Sequence, residues 1–218
     1  MTPFHAKHAR RLIARDDALI LEIGANEGDD TAQFIRAFPT GTFHCFECDP
    51  RAIAKWRKNI QHQRAHLHEV ALSNSIGTHD FHQSDGRPDG PQWTNYGPHW
   101  DKSGSLLPNY RHTEFAAWMN FLPPITVPTT TLDDWIAEHL PDDAIVDFAW
   151  VDVQGAEALV LEGAQKTINR IRYWYAECDP RPLYHGMATL ADLDRLLPNF
   201  RRIGEYSGFN HLWKNESL

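Results

Sequence analysis

An acid or a glycine closes each of four apolar runs in this sequence. Gly24 follows Ala18–Ile23, Glu47 ends Thr42–Glu47, Asp152 follows "AIVDFAWV", and Glu177 ends "RYWYAE". In an open parallel sheet, ligands bind outside the carboxyl ends of the strands where strand order reverses, so these four positions would share one crevice. Each has an ordinary alternative, since glycines end many strands and acids cap many helices. Their coincidence is what points to a site. Gly28 and Glu47 are nineteen residues apart. That is close to the ~20 between a glycine turn and the acid that hydrogen-bonds a ribose diol, so an adenosine-containing ligand follows.

The turn "GANEGDD" (Gly24–Asp30) bears on what else that ligand carries. A dinucleotide site wants G-x-G-x-x-G, so that the backbone meets a pyrophosphate at a helix N-terminus. Here Asn26 stands at the second glycine position and Asp29 at the third. Glu22, Glu27, Asp29 and Asp30 crowd the same turn, and a like-charge contact near ~4 Å costs about 4 kcal/mol at an effective dielectric of 20. A diphosphate would be repelled. S-adenosylmethionine has no phosphate and offers an ammonium and a sulfonium instead. Asp29 or Asp30 is expected to cap the next helix, which leaves Glu22 and Glu27 for the ligand.

Methyl transfer from a sulfonium is an in-line displacement that needs alignment and exclusion of water, and an alcohol acceptor must also lose its proton. Asp152 is the first candidate for that base, and His185, in the loop after Glu177, is the second. A divalent ion between Asp152 and Asp179 is conceivable, but no ligand motif for it exists in the sequence, and none of the 13 histidines falls in a metal-binding spacing. No resident metal is expected. Cys45 and Cys48 spell C-x-x-C within the extended run "TFHCFECDP", where residues three apart point to opposite faces, so two structural thiols are expected rather than a dithiol.

These residues need a scaffold, and strand-like and helix-like stretches alternate along most of the chain, which reads as α/β with a largely parallel sheet. Helices are expected at Asp29–Phe38, after the Asp49-Pro50 start, after Thr131 with Asp134 as a capping box, over "GAEALVLEGAQKTI", and after Thr189 with Asp192. "HLHEVAL" reads as a third strand, a short strand lies near Thr78–His82, and "FRRIGEYS" and "NHLWK" read as the last two. From residue 83 to 128 the alternation stops. Trp93, Tyr96, Trp100, Tyr110, Phe115, Trp118 and Phe121 are scattered there among Gly and Pro, and a loop this long and aromatic reads as an ordered, cap-like substrate insertion in a single domain of residues 1–218.

With 218 residues, 42% of them hydrophobic, the chain can bury a sizeable core, and its net charge of -8 argues against nucleic acid as a partner. The start "MTPFHAKHARRLIARDD" is basic but lacks an apolar core, and no run approaches the ~20 apolar residues of a membrane span, so a cytoplasmic protein is expected. Its oligomeric state is left open.

The strings "EIGANEGDDT", "FECDP", "EVALSNSIGT", "TTTLDDW", "WVDVQGAEALVLEGA" and "YAEC", in this order, resemble the FkbM family of S-adenosylmethionine-dependent methyltransferases. The resemblance implies a class I Rossmann-like fold with a central seven-stranded, mostly parallel sheet and helices on both faces. It also implies O-methylation of a hydroxyl on a sugar, glycolipid or natural product, so a small-molecule or glycan acceptor is the expected partner. Gly24, Ala25, Asn26 and Gly28 would then line the methionine part of the cofactor, with Glu22 beside them. Glu47 would hold the ribose. Cys48 and Asp49 would follow it towards the adenine, Ala71 and Leu72 would flank that ring, and Asp152 and Gln154 would face the methyl group. Glu157 fits either a helix-terminus stabiliser or a site residue. Cys48 stands where the family often has Pro, and Trp150 where it often has Lys. Two other readings compete: a nicotinamide-dependent oxidoreductase, and a noncatalytic cofactor-binding module.

Overall fold

The computed structural model describes residues 4–87 and 99–218. Helix α1 (Ala6–Ile13), which the sequence patterning did not reveal, leads into β1 (Leu19–Ile23), α2 (Asp29–Ala37), β2 (Thr42–Phe46), α3 (Pro50–Asn59) and β3 (Ala65–His68). After a small subdomain, α5 (Leu132–His139), β9 (Val146–Val151), α6 (Glu157–Glu162), β10 (Ile171–Glu177), α7 (Leu190–Leu196), β11 (Phe200–Tyr206) and β12 (Asn210–Asn215) complete the chain. Seven strands form one sheet in the order β11-β12-β10-β9-β1-β2-β3, in which β12 runs antiparallel to both of its neighbours. Chain order reverses between β1 and β9, the switch point at which open α/β sheets bind ligands.

Local chemistry accounts for the helix starts. The Asp49 side chain accepts from Arg51 N ahead of Pro50, Thr131 accepts from Asp134 N, and Thr189 and Asp192 form a reciprocal capping box. All six residues of β9 are buried, as a central parallel strand covered on both faces requires. Leu21, Ile136, Val160, Trp174 and Trp213 pack on one face of the sheet, and Ile20, Phe34, Phe43, Phe148 and Tyr175 on the other. Phe4 closes the second layer by stacking on Tyr175, with ring centroids 4.7 Å apart.

Three sequence expectations change. "HLHEVAL" is not one strand: β3 ends at His68, exposed Glu69 turns out to pair with Arg57, and β4 (Ala71–Leu72) joins a different sheet. There β4 runs parallel to β8 (Ile125–Thr130), which is antiparallel to β5 (Gly77–Phe81). Second, the helix after "DVQ" stops at Glu162. Gly163 brings the chain against Ser73, whose carbonyl oxygen would lie 2.1 Å from an added Cβ, and Asp133 then accepts from the amides of Lys166 and Thr167. Third, the described part of residues 83–128 holds regular structure: β6 (Ser84–Gly86) pairs with β7 (Met119–Phe121), α4 (His112–Phe115) lies between them in the chain, and β8 begins at Ile125. Trp100 and Trp118 meet edge to face at 5.3 Å. Trp93 and Tyr96 lie outside the described residues.

Candidate active site

A cleft opens at the carboxyl ends of β1, β2 and β9, with about 1000 Å³ of empty space counting its open mouth, enough for a ligand the size of a nucleoside. The Gly24–Gly28 turn forms one wall. Gly24 has φ +88°, and an added Cβ would lie 1.9 Å from the Asp152 carbonyl oxygen, so glycine lets the ends of β1 and β9 press together. Gly28, at φ +89°, does not line the cleft; a Cβ there would meet Ile60 at 2.6 Å. Four of the turn's five amides are consumed within the protein. Gly24 N and Ala25 N donate to Phe46 O at 3.0 and 2.9 Å, Gly28 N donates to Ala25 O, and Asn26 N donates to Glu47 Oε2 at 2.8 Å.

Glu47 also accepts from the amides of Cys48 and Asp49 on Oε1, both at 2.8 Å. Its carboxylate therefore clamps the end of β2 to the glycine turn while facing the cleft. Burial raises its pKa to about 7, against the pull of those three N–H groups. Asp49 lines the same wall, but its oxygens already cap α3, pair with Arg51 at 2.6 Å and accept from Gln83. Cys48 faces the cleft and is half-buried, whereas Cys45 is wholly buried, so the two thiols do diverge. Phe46, Val70, Ala71, Leu72, Phe81 and Leu106 supply an apolar slot beyond them.

At the other end stands Asp152. Gln154 donates from Nε2 to Asp152 Oδ1 at 2.6 Å and lies 3.3 Å from Glu177 Oε2, so one amide bridges two carboxylates. Gln154 holds φ at +55°, a region that side chains rarely adopt, and the Tyr184 hydroxyl sits 3.3 Å from its Oε1 while donating to Ser103 O. Asp152 is surrounded by protein yet open to the cleft, and burial raises its pKa above the usual carboxylate range. Glu177 is raised too, by burial and then by Asp152. Such a pair titrates together. Asp30 joins them: burial and the Asp152 charge raise it to about 6.

Several expected residues sit elsewhere or act otherwise. Glu22 faces away from the cleft: Thr31 Oγ1 donates to it at 2.5 Å, its strand partner Cys45 lies 3.5 Å away, and burial raises it to about 8. Neither Asp29 nor Asp30 caps α2, whose N-cap is Gly28 without a side-chain bond. His185 is exposed on its loop, its ring tilted against that of Tyr110 with centroids 4.3 Å apart, and outside the cleft. Asp179 is ion-paired with Arg181 and lines a second pocket, apart from Asp152. Glu157 accepts from Gly155 N at 3.3 Å at the start of α6, and burial raises it to about 7. Asp101 and Lys102 were not anticipated: they come from the aromatic segment, distant in sequence, and enter the cleft beside Asn26.

Residues 22–206 match the family described as "Methyltransferase FkbM domain". Over 196 residues the chain is 37% identical to "2-O-methyltransferase NoeI" of Sinorhizobium fredii, covering 89% of this chain and 77% of that protein. In three dimensions it is similar to the "METTL16 MTase domain" (TM-score 0.52, 10% identity), covering 98% of this chain and 65% of that one, a likeness of fold. A switch-point cleft between a glycine turn and paired acids, under a sequence match across most of the chain, places this protein in the FkbM methyltransferase family.

Proposed function

We propose that this methyltransferase uses S-adenosylmethionine to methylate a hydroxyl on a sugar, glycolipid or natural product. The observation that carries the reading is the cleft's division of chemistry. Glu47 stands at one end as a diol acceptor, the apolar slot around Ala71 and Leu72 suits a purine, and Asp30 and Asp152 stand at the other end, with Glu177 joined to Asp152 through Gln154. The carboxylates lining that end suit a sulfonium and an ammonium, and they would repel a phosphate. The consumed amides of the turn argue in the same direction, because a pyrophosphate would find none of the four offered to it. A nicotinamide cofactor is therefore not favoured. The relative named as a 2-O-methyltransferase supports oxygen as the acceptor atom.

The bound cofactor would supply an electrophilic methyl carbon. The protein's part is alignment and proton removal. Gln154, with its Oε1 beside Tyr184 and its amide nitrogen on both acids, keeps Asp152 and Glu177 at fixed positions. Asp152, open to the cleft, is placed to take the hydroxyl proton, and Glu177 beside it raises the basicity of the pair by like-charge repulsion. Binding to S-adenosylhomocysteine but not NAD, followed by methyl transfer to a panel of hydroxyl-bearing glycans, tests the assignment. Tighter binding of NAD would overturn it, and methylation confined to amines or thiols would overturn the acceptor class.

A further inference from the structure

S-adenosylmethionine carries one anion as well as two cations, and the α-carboxylate of its methionine end needs a partner where most of the glycine turn's amides are already bonded. The amides of Gly24, Ala25, Asn26 and Gly28 are all bonded internally, and Glu27, Asp29 and Asp30 add negative charge to the same wall. Among the described residues lining the cleft, one is cationic: Lys102. Its Nζ donates to Glu27 Oε1 at 2.5 Å, lies 3.3 Å from Asn26 Oδ1 and stands 3.6 Å from Asp29. It is thus seated at the turn, close enough to Asp30 and Asp152 for its charge to favour their ionised forms. Burial opposes its charge, and the acids around it, Glu27 first, keep it protonated.

From this geometry we infer that Lys102 receives the α-carboxylate of the cofactor, an inference that rests on the assignment of S-adenosylmethionine above. The positive charge of Lys102, beside Glu27 and Asn26, would draw the ligand carboxylate to the same wall. Lys102 also lies on a strap from a different part of the chain. Its neighbour Asp101 pairs with Lys55 of α3 at 2.6 Å, and the Asp101 carbonyl accepts from Asn26 Nδ2 at 3.0 Å. Tyr184 holds the same strap through Ser103 O, and Gly104 and Leu106 continue it along the cleft. The segment that reads from sequence as a substrate cover therefore also contributes to cofactor binding.

Two ligands separate this role from a structural one. S-adenosylhomocysteine has the amino-acid end, whereas 5′-methylthioadenosine has the same adenosine and sulfur without the carboxylate. Lys102→Met keeps the stem and removes the charge. It should weaken S-adenosylhomocysteine by about 10- to 100-fold, the scale of a hydrogen bond to a charged group, and leave 5′-methylthioadenosine within about twofold. Lys102→Arg, which keeps the charge, should restore most of the loss. Binding of 5′-methylthioadenosine by the variant reports that the cleft is intact. Equal changes for both ligands, or none for either, would overturn the assignment of Lys102 alone. A wild-type protein that binds neither ligand would overturn the cofactor reading beneath it.

Discussion

Replacing Glu47 by Gln changes one atom and tests the centre of the cleft. The carboxylate accepts three backbone N–H groups at 2.8 Å, from Asn26 on one oxygen and from Cys48 and Asp49 on the other. An amide has one oxygen, and the orientation that loses least puts it against Cys48 and Asp49. The amide nitrogen then confronts the Asn26 N–H, donor against donor. A buried donor left without its acceptor costs about 1–3 kcal/mol. At roughly 2–4 °C per kcal/mol for a domain of this size, the ligand-free midpoint should drop by several degrees. Ligand binding should suffer separately, because a diol would lose a charged acceptor worth about 1.5–3 kcal/mol, or roughly 10- to 150-fold in Kd. Scanning calorimetry without ligand and titration calorimetry with S-adenosylhomocysteine read the two effects. An unchanged midpoint would show that the three amides do not depend on Glu47. A lowered midpoint with unchanged affinity would show that Glu47 only ties the turn to β2.

Asp152→Asn keeps the shape and the partner Gln154 but removes the base; turnover should fall by about 10²- to 10⁴-fold with only a modest loss of cofactor affinity, measured by single-turnover kinetics. Wild-type turnover should rise from about pH 6 to 8 as the raised Asp152–Glu177 pair ionises, and a rate that is flat over this range would refute that assignment. Stability should run the other way. Glu22, Glu47, Glu157 and Glu177 have folded-state values near 7 or 8 against 4.5 unfolded, so above pH 6.5, where the buried histidines are neutral in both states, the folded chain holds extra protons, and the ligand-free midpoint should fall as pH rises from about 6.5 to 8. Glu22→Gln removes one such group, so it should change little at pH 4 and stabilise by up to a few kcal/mol at pH 9, as denaturant titration at both pH values would read. Gly24→Ala forces a Cβ onto the Asp152 carbonyl at a positive φ and should cost at least about 2 kcal/mol or fail to fold; a stable variant would mean that the turn is laxer than it looks.

Where a local rule sufficed, the sequence was informative. Asp49-Pro50, Thr131 with Asp134, and Thr189 with Asp192 mark helix starts by neighbours within four residues, and the acids at the ends of β2, β9 and β10 follow from short apolar runs. Glu22 shows where such reading fails. Its closeness to the glycine turn suggested a ligand contact, yet strand alternation puts it opposite Cys45, on the face that meets Thr31 of α2. Asp101 and Lys102 were out of reach for a different reason: no periodicity links them to Asn26, about 75 residues earlier, and only the tertiary path of the strap brings them together. His185 has no local feature that separates a catalytic from an exposed position, and its loop carries it away from the cleft. The parting of β3 from β4 turns on Glu69, one exposed charge inside an otherwise strand-like string.

That parting gives the aromatic segment an anchorage of its own. β5 and β8 hold each other over five register pairs, from Gly77 opposite Thr129 to Phe81 opposite Ile125, and the described residues between 82 and 124 belong to the connection that this ladder closes. Among the described residues, the seven-stranded sheet takes no strand from it. Insertions or deletions within the loop can therefore accumulate during divergence without shifting the pairing of any strand that carries Glu47, Asp152 or Glu177, since loop length costs little in closure entropy. A lineage could exchange one acceptor for another by rewriting this hairpin, constrained chiefly to retain the short strap that reaches back to Asn26.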